Sequence, residues 1–174
     1  LFRSVGWALL NTNGALDYGH IETVKGDQTG DAAHRLAEVM YGLSNSLRLL
    51  DASTPAFARV VIEWPGGAGG FQRKGANPNA RATIQTSTTA GAVYGAAYWL
   101  LRGKVHHILT PAPVSWRVAL GKAWGCPASE EAVHAGILER FPQLGSLKKK
   151  SQPHILDAVG LCLYGELPSK GPRP

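Results

Sequence analysis

The chain has 174 residues, 44% hydrophobic and 17% charged, which fits one soluble globular domain with a sizeable core and excludes a disordered chain. Its net charge of +6 leans toward a polyanionic partner. The longest apolar stretch, residues 90–101, is too short and too rich in Gly and Ala to span a bilayer. Cys126 and Cys162 are the only cysteines, so neither a disulfide framework nor a cysteine zinc site is expected, and no secretory pattern opens the sequence. An intracellular, reducing compartment is the corresponding expectation.

In chain order, "VGWALL" (5–10) has the alternation of a strand, and "NTNG" (11–14) signals a turn. "ALDYGHIETV" (15–24) follows as a second strand, and its later half offers a third. In the loop "GDQTGD", Thr29 or Asp31 is placed to cap the next helix. That helix, 32–50, carries Leu36, Val39, Met40, Leu43, Leu47 and Leu50 at i, i+3, i+4 spacings. "ARVVIEWP" (58–65) is a β-branched run stopped by Pro65 and reads as a central strand. "GGAGGFQRKGANPNA" (66–80) is a Gly-rich, basic loop. A helix over roughly 82–102 ends at Gly103, and "KVHHILTP" (104–111) is another strand. Residues 113–124 and 128–141 read as helices, the second capped by Ser129. "GSLKKKSQP" leads into a last helix from about His154, its lysine run reading as a solvated loop. The order makes a mixed sheet with helices on its faces, as an RNase H-like α/β fold requires. No repeat or linker divides the single domain 1–174.

Few residues stand out for chemistry. Glu63 ends the central strand, and in α/β sheets ligand sites gather outside the carboxyl ends of strands. It reads equally well as a surface residue at a strand end. His154 and Asp157 stand at i and i+3 of the last helix, their Cβ atoms about 5–6 Å apart on one face. Carboxylate and imidazole so placed suit Mg²⁺, Mn²⁺ or Zn²⁺. On the other reading Asp157 merely favours the helix dipole and His154 is a surface residue. Residues 60–125 hold seven Lys/Arg against one acid, Glu63. Trp64, Trp99 and Trp116 read as core, and the neighbouring His106 and His107 as structural. "GGAGG" lacks both the P-loop ending and the G-x-G-x-x-G helix entry, so no nucleotide cofactor is expected.

Four stretches, in order along the chain, resemble the RuvC-like Holliday junction resolvases. "HILDAVGLCLYG" is similar to that family's last helix, with an Asp or His, two residues, then Asp. "RVVIEW" resembles its central strand ending in a catalytic Glu, and "RSVGWALL" the tail of its first strand. "SWRVALG" followed by "ASEEAV" resembles a later helix and helix start. The resemblance implies an RNase H-like fold with a mixed five-stranded sheet flanked by helices. It implies two-metal hydrolysis of branched DNA, with Mg²⁺ ions about 3.5–4 Å apart, Mn²⁺ substituting, and Glu63, His154 and Asp157 as ligands and catalytic residues. The family's first catalytic Asp would fall two residues before Leu1, so the sequence is expected to begin part-way through a strand. Arg73, Lys74, Arg81, Lys104, Arg117 and Lys122 would meet phosphates of the duplex arms, and Phe71 would stack at the junction centre or pin its loop. Four-way junctions have approximate twofold symmetry, so a homodimer is expected, with the helix "TTAGAVYGAAYWLL" suited equally to an interface or to packing on the sheet. The cytoplasm of a bacterial or phage-infected cell is the implied location, without membrane association. The alternatives are a catalytically inactive RNase H-fold protein that binds branched DNA, and an RNase H-fold nuclease of other specificity.

Overall fold

The computed structural model describes residues 4–22, 31–47, 57–63, 91 and 94–168. The hairpin expected at the start is present. Strands β1 (Ser4–Leu10) and β2 (Leu16–Glu22) pair antiparallel, from Ser4 opposite Glu22 to Leu10 opposite Leu16. The turn closes with Gly14 N–H donating to the Asn11 carbonyl at 2.9 Å and Asn11 N–H donating to that of Ala15 at 2.8 Å. Gly14 has φ of 82°, a conformation that glycine adopts without strain. The later half of "ALDYGHIETV" forms no third strand as far as Glu22. Ile21 and Glu22 continue β2, paired with Val5 and Ser4.

Helix α1 (Asp31–Ser46) follows, then strand β3 (Phe57–Val61), the helical residues 94–101 (α2) and strand β4 (Val105–Leu109). Strands β3 and β4 pair in parallel, Phe57 opposite Val105 and Val61 opposite Leu109, as strands joined by a long crossover do. The chain ends in helices α3 (Pro113–Trp124), α4 (Glu130–Arg140) and α5 (Gln152–Glu166), with a 3₁₀ turn at Pro142–Ser146. Local signals explain their limits. Gly125 closes α3 with φ of 69°, its N–H bonded to the Gly121 carbonyl. Ser129 Oγ accepts from Ala132 N–H at 3.2 Å, the cap expected for α4. Pro153 lies in the first turn of α5, where its missing N–H costs nothing.

The fold is mixed α/β. Among the described residues, however, the strands form two two-stranded sheets, β1–β2 and β3–β4, and not one five-stranded sheet. Two causes are visible. The residues of the expected third strand that lie within the described set belong to β2. In addition, β1 and β3 do not hydrogen-bond; both line a cavity of about 430 Å³ that α2 and α5 help to enclose. Helix α5 bridges the two halves, touching β1, β2 and β3 as well as α3 and α4.

Apolar burial is concentrated around α5. Trp116, Leu120, Val133, Ile137, Leu144, Ile155, Leu156 and Val159 form one core, while Val39, Leu43 and Ala97 form a second beneath the strands. Two glycines permit the contacts of α5. A Cβ at Gly6 would overlap the His154 carbonyl oxygen, so β1 meets the first turn of α5 backbone to backbone. A Cβ at Gly160 would stand 2.5 Å from the Trp116 ring. No helix among the described residues is long and apolar enough to cross a membrane.

Candidate functional site

Glu63 lies two residues beyond β3, and Ile62 N–H donates to the Leu109 carbonyl at 2.9 Å, which keeps the chain in line with the strand. The Glu63 side chain is partly buried, and its Oε1 accepts from Trp116 Nε1–H at 2.8 Å. Burial pushes its carboxyl above the usual range, and the charge of Asp157 adds to this. The Trp116 bond and the Arg117 charge pull the other way. Trp116 was expected to be core, and it is fully buried. Its N–H, like that of most buried indoles, has found an acceptor.

Asp157, within α5, has Oδ1 3.0 Å from His134 Nε2. An ionised carboxylate can only accept, so His134 Nε2–H is the donor. His134 is nearly covered, its side chain 12% exposed, whereas Asp157 is 37% exposed. Glu63, Asp157 and His154 all line the cavity between β1 and β3. Glu63 and Asp157 each have one oxygen held by a donor from the helical layer, Trp116 and His134 respectively.

His154 behaves differently. Its ring stacks on that of His20, centroids 5.5 Å apart and planes 12° from parallel. His20 stands opposite Gly6 on β2, which explains how the two rings come together where β1 meets α5. His20 Nδ1 is 3.9 Å from Glu22 Oε1, and Lys150 Nζ is 3.1 Å from the same oxygen. Within the described residues His20 Nε2 is buried without a hydrogen-bond partner. Burial, then the neighbouring His154, hold the His20 imidazole below its ordinary value. Lys150, from the lysine run, is therefore paired across to β2 while its side chain stays 75% exposed.

Among the described residues, no three His, Cys, Asp or Glu side chains stand close enough together to hold one metal ion. The pair Glu63 and Asp157 nevertheless suits Mg²⁺ or Mn²⁺. Mg²⁺ is ordinarily held by one or two carboxylates, with waters and substrate phosphates completing its octahedron. Burial is the main reason the Glu63 carboxyl is raised, the charge of Asp157 adds to it, and a cation bound between them would relieve both.

Of the basic residues, Arg117 is ion-paired with Glu130 at 3.1 Å, its guanidinium 5.4 Å from the centre of the Trp116 ring. Lys122 is exposed in the last turn of α3, and Lys104 directly precedes β4. Phe71, Arg73, Lys74 and Arg81 lie outside the described residues, as does Trp64. Trp99, expected in the core, is 63% exposed, with the Arg102 guanidinium 6.0 Å from its ring centre. His106 and His107 are both exposed on β4.

Sequence reasoning missed three participants. Trp116 was legible as core but not as a donor to Glu63. Neither His134 nor His20 carries a local signal, since each meets its partner only through the tertiary fold. Compared with protein-family models and with curated proteins, the sequence matches none.

Proposed function

We propose that this protein is a metal-dependent, structure-specific endonuclease of the RuvC-like type, built on an RNase H-like fold and cutting four-way junctions and related branched DNA. The observation that carries the reading is the convergence of Glu63, Asp157 and His154 on one cleft, from a strand end and a helix that the resemblance singles out. In this reading Glu63 and Asp157 bind divalent metal, and His154 either joins them or acts on the attacking water. A bound Mg²⁺ would supply a nucleophilic hydroxide and neutralise charge developing on the phosphate.

The chain's own groups do the rest. Trp116 holds the Glu63 carboxylate from α3, and His134 holds that of Asp157 from α4. Burial raises the Glu63 carboxyl, and a bound cation would ease its ionisation, so cation binding and its deprotonation would be coupled. Arg73, Lys74, Arg81, Lys104, Arg117 and Lys122 would hold the duplex arms, and Phe71 would stack at the junction centre or pin its loop. Arg117 must exchange Glu130 for a phosphate to take part. The twofold symmetry of a junction calls for a homodimer, and the implied location is the cytoplasm.

The test is cleavage of a synthetic four-way junction beside linear duplex of the same sequence, by the full-length protein with Mg²⁺, Mn²⁺ or EDTA. Paired, metal-dependent nicks near the crossover, lost in Asp157→Asn, are the expected result. Tight junction binding without cutting under any metal would make it a structure-specific binding protein. Neither binding nor cutting would overturn the reading.

A further inference from the structure

The carboxylates of the cleft are not simply presented to it. Among the described residues each is gripped by a donor from a helix that builds the larger buried core. Trp116 Nε1 reaches Glu63 from α3 at 2.8 Å, and His134 Nε2 reaches Asp157 from α4 at 3.0 Å. Carboxylate terminal torsions have broad, soft minima, so an unheld Asp or Glu samples many orientations. One hydrogen bond from a fixed donor selects among them. Trp116 is immobile because it is fully buried and Gly160 of α5 packs directly on its ring. His134 is fixed because α4 is capped at Ser129 and anchored by the buried Val133 and Ile137.

We propose that His134 and Trp116 are positioning residues for the cleft: each holds one oxygen of its carboxylate and so turns the other toward a divalent cation. This rests on the reading of Glu63 and Asp157 as metal ligands. Neither donor touches metal or DNA; each acts through the acid it holds. Such outer partners commonly change metal affinity about 10–100-fold when removed. His134 gives the sharper test, since its loss leaves the core around Trp116 intact. A purely structural tie between α4 and α5 would alter melting without altering cation affinity in the folded protein.

The experiment is Mn²⁺ titration of the full-length protein, followed by the loss of the free-ion EPR signal, with thermal melts of every variant alongside. His134→Leu keeps bulk and removes the donor; His134→Gln restores an N–H at similar reach. Trp116→Phe removes the indole donor and keeps a ring. The expected result is Mn²⁺ affinity about 10-fold weaker or more in His134→Leu, at a temperature where it is folded, and largely recovered in His134→Gln. Trp116→Phe should weaken it in the same direction. Asp157→Asn separates the two levels of the argument. Unchanged Mn²⁺ binding in that variant would sink the metal-site reading itself. Binding lost in Asp157→Asn but within twofold of wild type in His134→Leu would overturn the positioning inference alone. So would a His134→Gln variant that folds but binds as weakly as His134→Leu.

Discussion

The helical end of the molecule and its strand end are built to different standards. In residues 113–168, Trp116, Leu120, Val133, Ile137, Leu144 and Val159 are completely buried and interlock through a glycine contact. In the strand half the buried apolar side chains among the described residues are Val39, Leu43, Ala97 and Leu101, beside a cavity of about 430 Å³ lined by both two-stranded sheets. The candidate site straddles this divide. Asp157, His134 and Trp116 belong to the helical side, whereas Glu63 comes from the strand side and is tied across by the indole bond of Trp116. Orientation is thus set by the helices, and the strands deliver a carboxylate to be oriented.

The same substitution on both sides tests this most strongly. Leu120→Ala empties space among completely buried neighbours and should cost about 4 kcal/mol, near the upper end for such truncations. Leu43 lines the existing cavity, so Leu43→Ala loses fewer contacts and should cost about 2 kcal/mol. Urea denaturation of both reads the difference. Equal losses would break the comparison.

Next in size is the seat of α5 on Trp116. In Gly160→Ala the new methyl meets the ring at 2.5 Å in a place where neither can retreat, so overpacking should cost about 1–3 kcal/mol. The near-ultraviolet circular dichroism of the tryptophans should change with it. Gly95→Ala, in α2, makes the opposite case. Gly95 is exposed and helical, with nothing within 4 Å of an added Cβ, so the variant should gain about 0.5–1 kcal/mol from helix propensity. A loss there would mean that the strand half is packed more tightly than its cavity indicates.

What the sequence discloses follows the same line between local and distant. The "NTNG" turn, the Ser129 cap and the apolar run of α5 are each specified within a few residues, and each is where its signal puts it. The exposure of Trp99, a residue expected in the core, was not legible and follows only once the buried face of its helix is known. Ala97 and Leu101 are buried four residues apart, and Trp99, midway between them, must face outward on a helix. Sheet assembly was not legible either, because a strand shows the same alternation whichever edge it pairs with. The contact of Trp116 with Glu63 spans 53 residues and that of His134 with Asp157 spans 23. A sequence displays such donors and acceptors without saying which will meet.

The smallest effect concerns Glu63 itself and has a definite sign. Its folded value lies above the ordinary 4.5, chiefly through burial. The folded state therefore binds the proton more tightly than the unfolded one. That contribution to stability is complete below 4.5 and is lost as pH rises through the elevated value. In the absence of divalent cations, Glu63→Gln should remove this decline, because an amide does not titrate and its oxygen still accepts from Trp116. At neutral pH the variant should melt higher than wild type. Wild type should recover the difference on adding Mn²⁺, while the variant should respond much less, since it offers the cation no carboxylate at that position. A variant that melts lower at neutral pH without metal would mean that ionised Glu63 stabilises the strand half by itself. The indole bond would then outweigh burial, and the cleft would have no electrostatic need of a cation.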